Sequence, residues 1–109
     1  MPSSQGSGII LFTERLIEMV SEAKVRFGKR MVALLEATGV DEWELKKFLR
    51  LKSIIQVRNY CKGIHGPSFD RMAMLRILFG LKTGEIDGSE PFPPKLDTDA
   101  IRKRLDDLT

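Results

Sequence analysis

Seven polar residues between Lys52 and His65 have side chains that could bind nucleic acid. Long cations neutralise phosphates and gain affinity by releasing counterions. In the major groove of DNA, Gln and Asn amides can pair with adenine, and an Arg guanidinium can pair with guanine. The candidate DNA-binding residues are Lys52, Ser53, Gln56, Arg58, Asn59, Lys62 and His65.

The positive charge of the chain is concentrated around these residues. Residues 1–44 carry five Lys/Arg and seven Asp/Glu, residues 45–82 carry nine Lys/Arg and only Asp70, and residues 83–109 carry four Lys/Arg and seven Asp/Glu. The net charges are therefore −2, +8 and −3, within a total of +3. Such a one-sided block attracts polyanions, although a solvated basic surface with no ligand can have the same composition.

The sequence offers little for catalysis. With one cysteine, Cys61, and one histidine, His65, it lacks the three or four convergent ligands of most transition-metal sites. No glycine-rich phosphate loop occurs. Cys61 has no intrachain partner for a disulfide, and its apolar neighbours predict a buried, unreactive thiol in a reducing cytoplasm. We therefore expect neither an enzyme nor a bound metal or cofactor.

Length and composition are typical of one small globular protein. The chain has 109 residues, of which 42% are hydrophobic and 30% charged. Its apolar runs are much shorter than the roughly 20 residues of a transmembrane helix. The N-terminus has no basic residue followed by an apolar stretch, so no signal peptide is expected. These features predict a cytoplasmic protein with no membrane contact.

Apolar residues with helical spacing predict the first elements. Thr13 is a candidate N-cap, and residues 1–12 are expected to be a flexible lead. The following stripe predicts one buried helix face. Gly28 leaves two possibilities, a pair of helices or one bent helix, ending near Thr38 and Gly39. The stripe consists of Leu16, Ile17, Val20, Phe27, Met31, Leu34 and Leu35.

The region after Asp41 has two interpretations. Asp41 is a candidate N-cap for a helix with Trp43 as a lid over the core. No Gly, Pro or Asn occurs between Asp41 and Arg58. Either a tight turn near Leu51–Lys52 separates two helices, the second capped by Ser53, or a single helix continues to Lys62.

Clear breaks define the remaining elements. Residues 63–67 interrupt the helical pattern, Ser68 is expected to cap a helix from Phe69 to Phe79, and residues 82–96 are predicted to be a Gly/Pro-rich linker. A final amphipathic helix is expected in residues 97–109. The predicted fold is all-α, a compact bundle of about five to six short helices with a helix-turn-helix in residues 13–81.

Three stretches resemble the lambda-repressor-like, Cro-like family of helix-turn-helix regulators. Residues 27–40 resemble that family's first helix, residues 41–45 the start of its second, and residues 53–63 its recognition helix with the following glycine. Pro67 and Ser68 resemble the opening of its fourth helix. The resemblance covers residues 27–81, but the usual glycine between the second and third helices is replaced by Arg50, Leu51 and Lys52.

The resemblance implies a sequence-specific transcriptional regulator of bacterial or phage type. It implies that Val57 and Tyr60 anchor the recognition helix in the core. Such proteins bind double-stranded DNA as homodimers with recognition helices about one DNA turn apart. The dimer contact would come from the helix around Leu16 to Val20, or from Ile101, Leu105 and Leu108. The alternative is a helical adaptor that binds an acidic protein through its basic face, with residues 41–62 as one helix; RNA binding is a third possibility.

Overall fold

All regular structure in the described residues is α-helical. The structure is a computed structural model that describes the backbone of residues 3–107 and the side chains of residues 15–107. No strand occurs in this part of the chain, so the predicted all-α class is confirmed. The helices are α1 (Ser3–Thr38), α2 (Glu42–Leu49), α3 (Ile54–Lys62), α4 (Phe69–Phe79), α5 (Thr83–Asp87) and α6 (Thr98–Asp106).

Helix α1 is much longer than predicted. It is one continuous helix of 36 residues that begins at Ser3 rather than at Thr13, so most of the predicted flexible lead is helical and the two-helix alternative at Gly28 is wrong. No proline occurs between Ser3 and Thr38, and each residue added to an existing helix gains a backbone hydrogen bond. No helix in residues 3–107 combines the length and apolar character that crossing a membrane requires.

A single core receives side chains from every helix. Its fully buried members are all aliphatic or Met, and no polar or charged residue is buried among the described side chains. The core uses only the C-terminal half of the α1 stripe, because Leu16, Ile17 and Val20 are exposed, contrary to prediction. The largest fully buried side chains are Met31, Leu34, Leu45, Leu49, Val57, Leu75, Leu78, Ile86 and Ile101.

The segment predicted as a linker is packed against the bundle. Residues 82–96 include α5, whose Ile86 is fully buried. The Arg30 guanidinium of α1 donates hydrogen bonds of 2.8 Å to the backbone oxygens of Glu85 and Glu90, and it lies over the ring of Phe92. The prediction of a linker in residues 82–96 is wrong because short helices in turn-rich sequence are stabilised by tertiary contacts, which local sequence patterns do not show.

Helix α6 belongs to the same core. Its Ile101 and Leu105 are buried, and Arg102 forms an ion pair with Glu44 of α2. The predicted amphipathic character of this helix is confirmed for these two residues, while Leu108 lies outside the described residues. Since Ile101 and Leu105 are buried in the chain's own core, they are not available for a dimer contact.

Helices α1 and α3 touch through their backbones. A Cβ added at Gly28 would lie 2.6 Å from the carbonyl oxygen of Tyr60 and 2.7 Å from that of Cys61. Beside this contact the rings of Phe27 and Tyr60 meet edge to face, with centroids 5.9 Å apart. The close approach fixes the C-terminal end of α3 on the C-terminal third of α1.

Replacing Gly28 with alanine tests this contact. Alanine favours a helix by about 1 kcal/mol over glycine. We nevertheless expect Gly28→Ala to lower the free energy of unfolding by about 2 kcal/mol, because the added carbon overlaps backbone atoms that have no rotamer to change. Urea denaturation measures the difference. The control is Gly39→Ala, where nothing lies within 4 Å of the added carbon and only the positive φ of 74° opposes it, costing about 1 kcal/mol. A Gly28→Ala protein more stable than the wild type would contradict the close approach.

Candidate nucleic-acid interface

The chain breaks between α2 and α3 at Arg50. This residue takes a left-handed conformation with φ 55°, the only positive φ at a non-glycine residue in the described chain. Its N–H donates to Lys47 O at 3.2 Å, and the N–H of Leu51 donates to Lys46 O at 3.0 Å. These two bonds form the Schellman motif that usually has glycine at this position. The two-helix alternative is therefore correct, and the single helix that the adaptor alternative required is wrong.

Helix α3 is held at both ends and on its inner face. The Ser53 Oγ accepts a hydrogen bond of 3.1 Å from the N–H of Ile55, as the cap prediction requires. Gly63, with φ 77°, closes the other end. Val57 and Tyr60 are buried, which confirms them as the inner residues of this helix. The orientation of α3 is thus determined by the core.

The outer face of α3 has a mixed polar and apolar surface. Arg58 and Lys62 are exposed, Asn59 is half-exposed, and Ile55 is 60% exposed. Lys52 and His65 are exposed on either side of the helix. Four of the predicted residues, Lys52, Arg58, Asn59 and Lys62, therefore come together on one helix and the turn before it.

The side-chain oxygen of Gln56 already accepts hydrogen bonds from backbone N–H groups. Its Oε1 accepts hydrogen bonds from the N–H groups of Lys52 at 2.8 Å and Ser53 at 3.3 Å. A bidentate contact with adenine needs both the oxygen and the amide nitrogen of the Gln side chain, one to accept and one to donate a hydrogen bond. Gln56 and Ser53 thus close the N-terminal turn of α3, and only the amide nitrogen of Gln56 could meet a ligand without breaking the cap.

Arg58 contacts an acid of α2. Its Nε donates to Glu42 Oε2 at 3.0 Å, with the two side chains 49% and 41% exposed. An exposed ion pair of this kind contributes only about 0–1 kcal/mol to stability, so the Arg58 guanidinium can leave Glu42 at little cost. The four N–H donors on the two terminal nitrogens of Arg58 are not used in this pair.

Two further exposed cations lie next to the predicted set. Lys47 and Arg50 are exposed at the end of α2 and in the turn. No Asp or Glu occurs from Leu45 to Phe69. Both cations belong to the basic block recognised in the sequence, but they are not among the seven predicted binding residues, because the position of the turn was left open.

Two residues singled out in the sequence, Trp43 and Cys61, lie on α2 and α3. Trp43 was predicted to cover the core, but it is 61% exposed, because its position in the first turn of α2 points away from Leu45 and Leu49. Cys61 is half-buried beside Val32, Glu42 and Lys62. Burial raises the pKa of the Cys61 thiol above its ordinary value, and the negative charge of Glu42 adds to the effect. A raised pKa disfavours the thiolate and hence nucleophilic reactivity.

Known proteins provide no further guide to this surface. No protein-family model matches the chain, and neither the curated proteins nor the solved structures include a significant match. Within the described residues, no group of three or more His, Cys, Asp or Glu side chains could hold a metal ion. The function has to be inferred from the geometry and charge of α2, α3 and the turn between them.

The raised pKa of Cys61 predicts a loss of stability at alkaline pH. Above the ordinary thiol pKa of about 8.5, the unfolded chain releases the proton that the folded protein retains. The free energy of unfolding should therefore fall as pH rises through this range, and it should fall less in Cys61→Ala, which shares every other titrating group. In addition, iodoacetamide should alkylate the native protein more slowly than the denatured chain. Equal alkylation rates would contradict the predicted shift.

Proposed function

We propose that the protein binds double-stranded DNA, with α3 in the major groove reading base sequence. The observation that carries the proposal is that α3 is a separate, short helix, held by buried Val57 and Tyr60, with cationic and amide side chains on its outer face. With its side chains an α-helix is roughly 10–12 Å in diameter, which fits a major groove about 12 Å wide. The break at Arg50 supports the proposal, because a continuous helix from α2 would hold α3 away from the groove.

The outer residues suit two kinds of DNA contact. Asn59 can pair with adenine, the terminal nitrogens of Arg58 with guanine, and the exposed Ile55 with a thymine methyl group. The cations of the turn and of the helix end can bind phosphates, which fix position and carry no sequence information. The phosphate-binding candidates are the cations Lys47, Arg50, Lys52 and Lys62, together with His65 as a hydrogen-bond donor. The same surface would serve a transcriptional regulator that recognises a defined operator.

The salt dependence of affinity tests the phosphate contacts. The wild-type protein should bind random duplex DNA with an affinity that falls steeply as salt rises, because binding releases counterions. Lys62→Ala should weaken binding to every sequence and reduce the slope of log K against log salt by about 1. Fluorescence anisotropy of labelled duplexes measures both. The matched control is Lys103→Ala, which removes an exposed charge from α6 and should leave the slope unchanged.

Three other results would overturn this proposal. An affinity for duplex DNA that is absent, or that does not change with salt, would contradict it. Binding to polyglutamate in place of DNA would favour the adaptor, whose acidic partner needs only the positive charge. Tighter binding to single-stranded RNA than to duplex DNA would favour the RNA alternative.

Base readout is tested by separating it from helix capping. Asn59→Ala and Arg58→Ala should each reduce discrimination between preferred and random sites by about 1–3 kcal/mol. Gln56→Glu keeps the oxygen that caps α3, so it should fold like the wild type but bind all sequences more weakly through charge repulsion. Selection from a random duplex library, followed by competition binding, measures site ranking. An unchanged ranking in both Asn59→Ala and Arg58→Ala would show that α3 does not read bases.

A further inference from the structure

The ion pair between Arg58 and Glu42 uses one particular edge of the guanidinium. A guanidinium has one pair of parallel donors along its side, formed by Nε and a terminal nitrogen, and another at its end, formed by the two terminal nitrogens. In this pair the Nε of Arg58 donates to Glu42 Oε2 at 3.0 Å. The side pair is therefore occupied in part, and the pair at the end of Arg58 remains complete.

The position of Glu42 is set by the first turn of α2. Asp41 Oδ1 accepts a hydrogen bond of 2.8 Å from the Glu44 N–H, and Glu44 Oε1 accepts one of 3.1 Å from the Asp41 N–H. This capping box holds the turn in which Glu42 lies. Glu44 also pairs with Arg102, which attaches the same turn to α6. The Glu42 carboxylate thus extends from a fixed backbone position towards Arg58.

The carboxylate of Glu42 lies against α3 and not in open solvent. Its side chain is 41% exposed, and it borders a groove that Arg58, Cys61 and Lys62 of α3 also line. Its negative charge adds to the raised pKa of Cys61, which lies nearly one turn beyond Arg58. The bond to Arg58 and the effect on Cys61 both place this acid beside the helix that we propose to read DNA.

Guanine and phosphate make different demands on an arginine. Guanine presents two acceptors, N7 and O6, on its major-groove edge and takes two parallel donors, whereas a phosphate carries no sequence information and is bound through charge. Glu42 neutralises part of the Arg58 charge and leaves the end pair of donors, the arrangement that suits guanine. An exposed ion pair biases the guanidinium by up to about fivefold, which is enough to alter a preference between sites.

We propose that Glu42 is a positioning residue that makes Arg58 selective for guanine, by holding Nε and leaving the two terminal nitrogens for N7 and O6. This proposal rests on the proposed DNA binding by α3, and it gives an acid of α2 a role in sequence preference. Because the same acid reduces attraction to phosphates, Glu42 increases discrimination between DNA sites and lowers affinity for DNA in general. The preferred site should contain a guanine whose recognition requires both residues.

Base analogues test the contact with guanine in the full chain. The position to test is the guanine of the selected duplex that Arg58→Ala no longer distinguishes from other bases. 7-Deazaguanine lacks N7, and we expect it to weaken binding of the wild type about tenfold at this position. Hypoxanthine keeps N7 and O6 and lacks only the amino group in the minor groove, so it should leave the affinity unchanged. Fluorescence anisotropy measures each affinity.

Glu42→Ala should change two affinities in opposite ways. Affinity for random duplex DNA should rise about two- to fivefold, because the charge of Arg58 is no longer neutralised. The loss of affinity on 7-deazaguanine should shrink from about tenfold to about twofold. Glu42→Asp keeps the charge but shortens the reach by one carbon, and it should also reduce the preference for guanine. Circular dichroism checks that each variant keeps its helix content.

Two controls separate positioning from charge. Glu36→Ala removes the same charge from the same groove and leaves the bond to Arg58 intact, so it should keep the full preference for guanine. In an Arg58→Ala protein, adding Glu42→Ala should not alter discrimination between guanine and 7-deazaguanine, because the residue that Glu42 positions is absent.

Each outcome bears on the proposal. A preference for guanine that is unchanged in both Glu42→Ala and Glu42→Asp would overturn it and leave DNA binding by α3 standing. An equal loss of preference in Glu36→Ala would overturn it, since the effect would then be one of net charge. It would also be overturned if Arg58→Ala altered the recognition of no guanine in the site. A wild type that does not bind duplex DNA would overturn both this proposal and the proposed function.

Discussion

The structure depends on the backbone contact between α1 and α3 at Gly28. A side chain there would meet the carbonyl oxygens of Tyr60 and Cys61, so the two helices can approach this closely only because Gly28 has none. The contact sets the position of α3, and with it the direction in which Arg58, Asn59 and the other outer residues face. A surface made of ordinary Lys, Arg and Asn side chains becomes a candidate binding site because the contact with α1 holds its helix in one orientation.

The turn between α2 and α3 shows how a fold can tolerate an unfavourable residue. Arg50 adopts a conformation that costs an L-residue about 1–2 kcal/mol. The cost is offset by two closing hydrogen bonds, by the burial of Leu51 and by the capping of the next helix by Ser53 and Gln56. Arginine at this position, where a helix end more often has glycine, also places a cation next to α3, where a phosphate-binding surface would benefit from it.

Hydrogen bonding within the protein divides the polar residues of α3 into two groups. Gln56 and Ser53 satisfy backbone groups at the start of the helix, whereas Asn59 and Lys62 extend outward. Arg58 is intermediate, because its exposed pair with Glu42 leaves the terminal nitrogens available. The type of a residue shows what it could bind, but only its existing partners show what it can still bind.

The sequence alone determined the all-α class and the caps at Asp41 and Ser68, since these follow from local hydrogen bonding and helical periodicity. The cap at Ser53 belonged to only one of two alternatives, and the family resemblance implied that Val57 and Tyr60 are buried. The sequence could not determine whether the chain breaks at Arg50, because a left-handed arginine depends on the burial of Leu51 in the core. Nor could it show which part of the α1 stripe is buried, since Leu16 and Phe27 have the same pattern and differ only in whether other helices reach them. Those outcomes required tertiary structure, because burial is a property of neighbours that are distant in sequence.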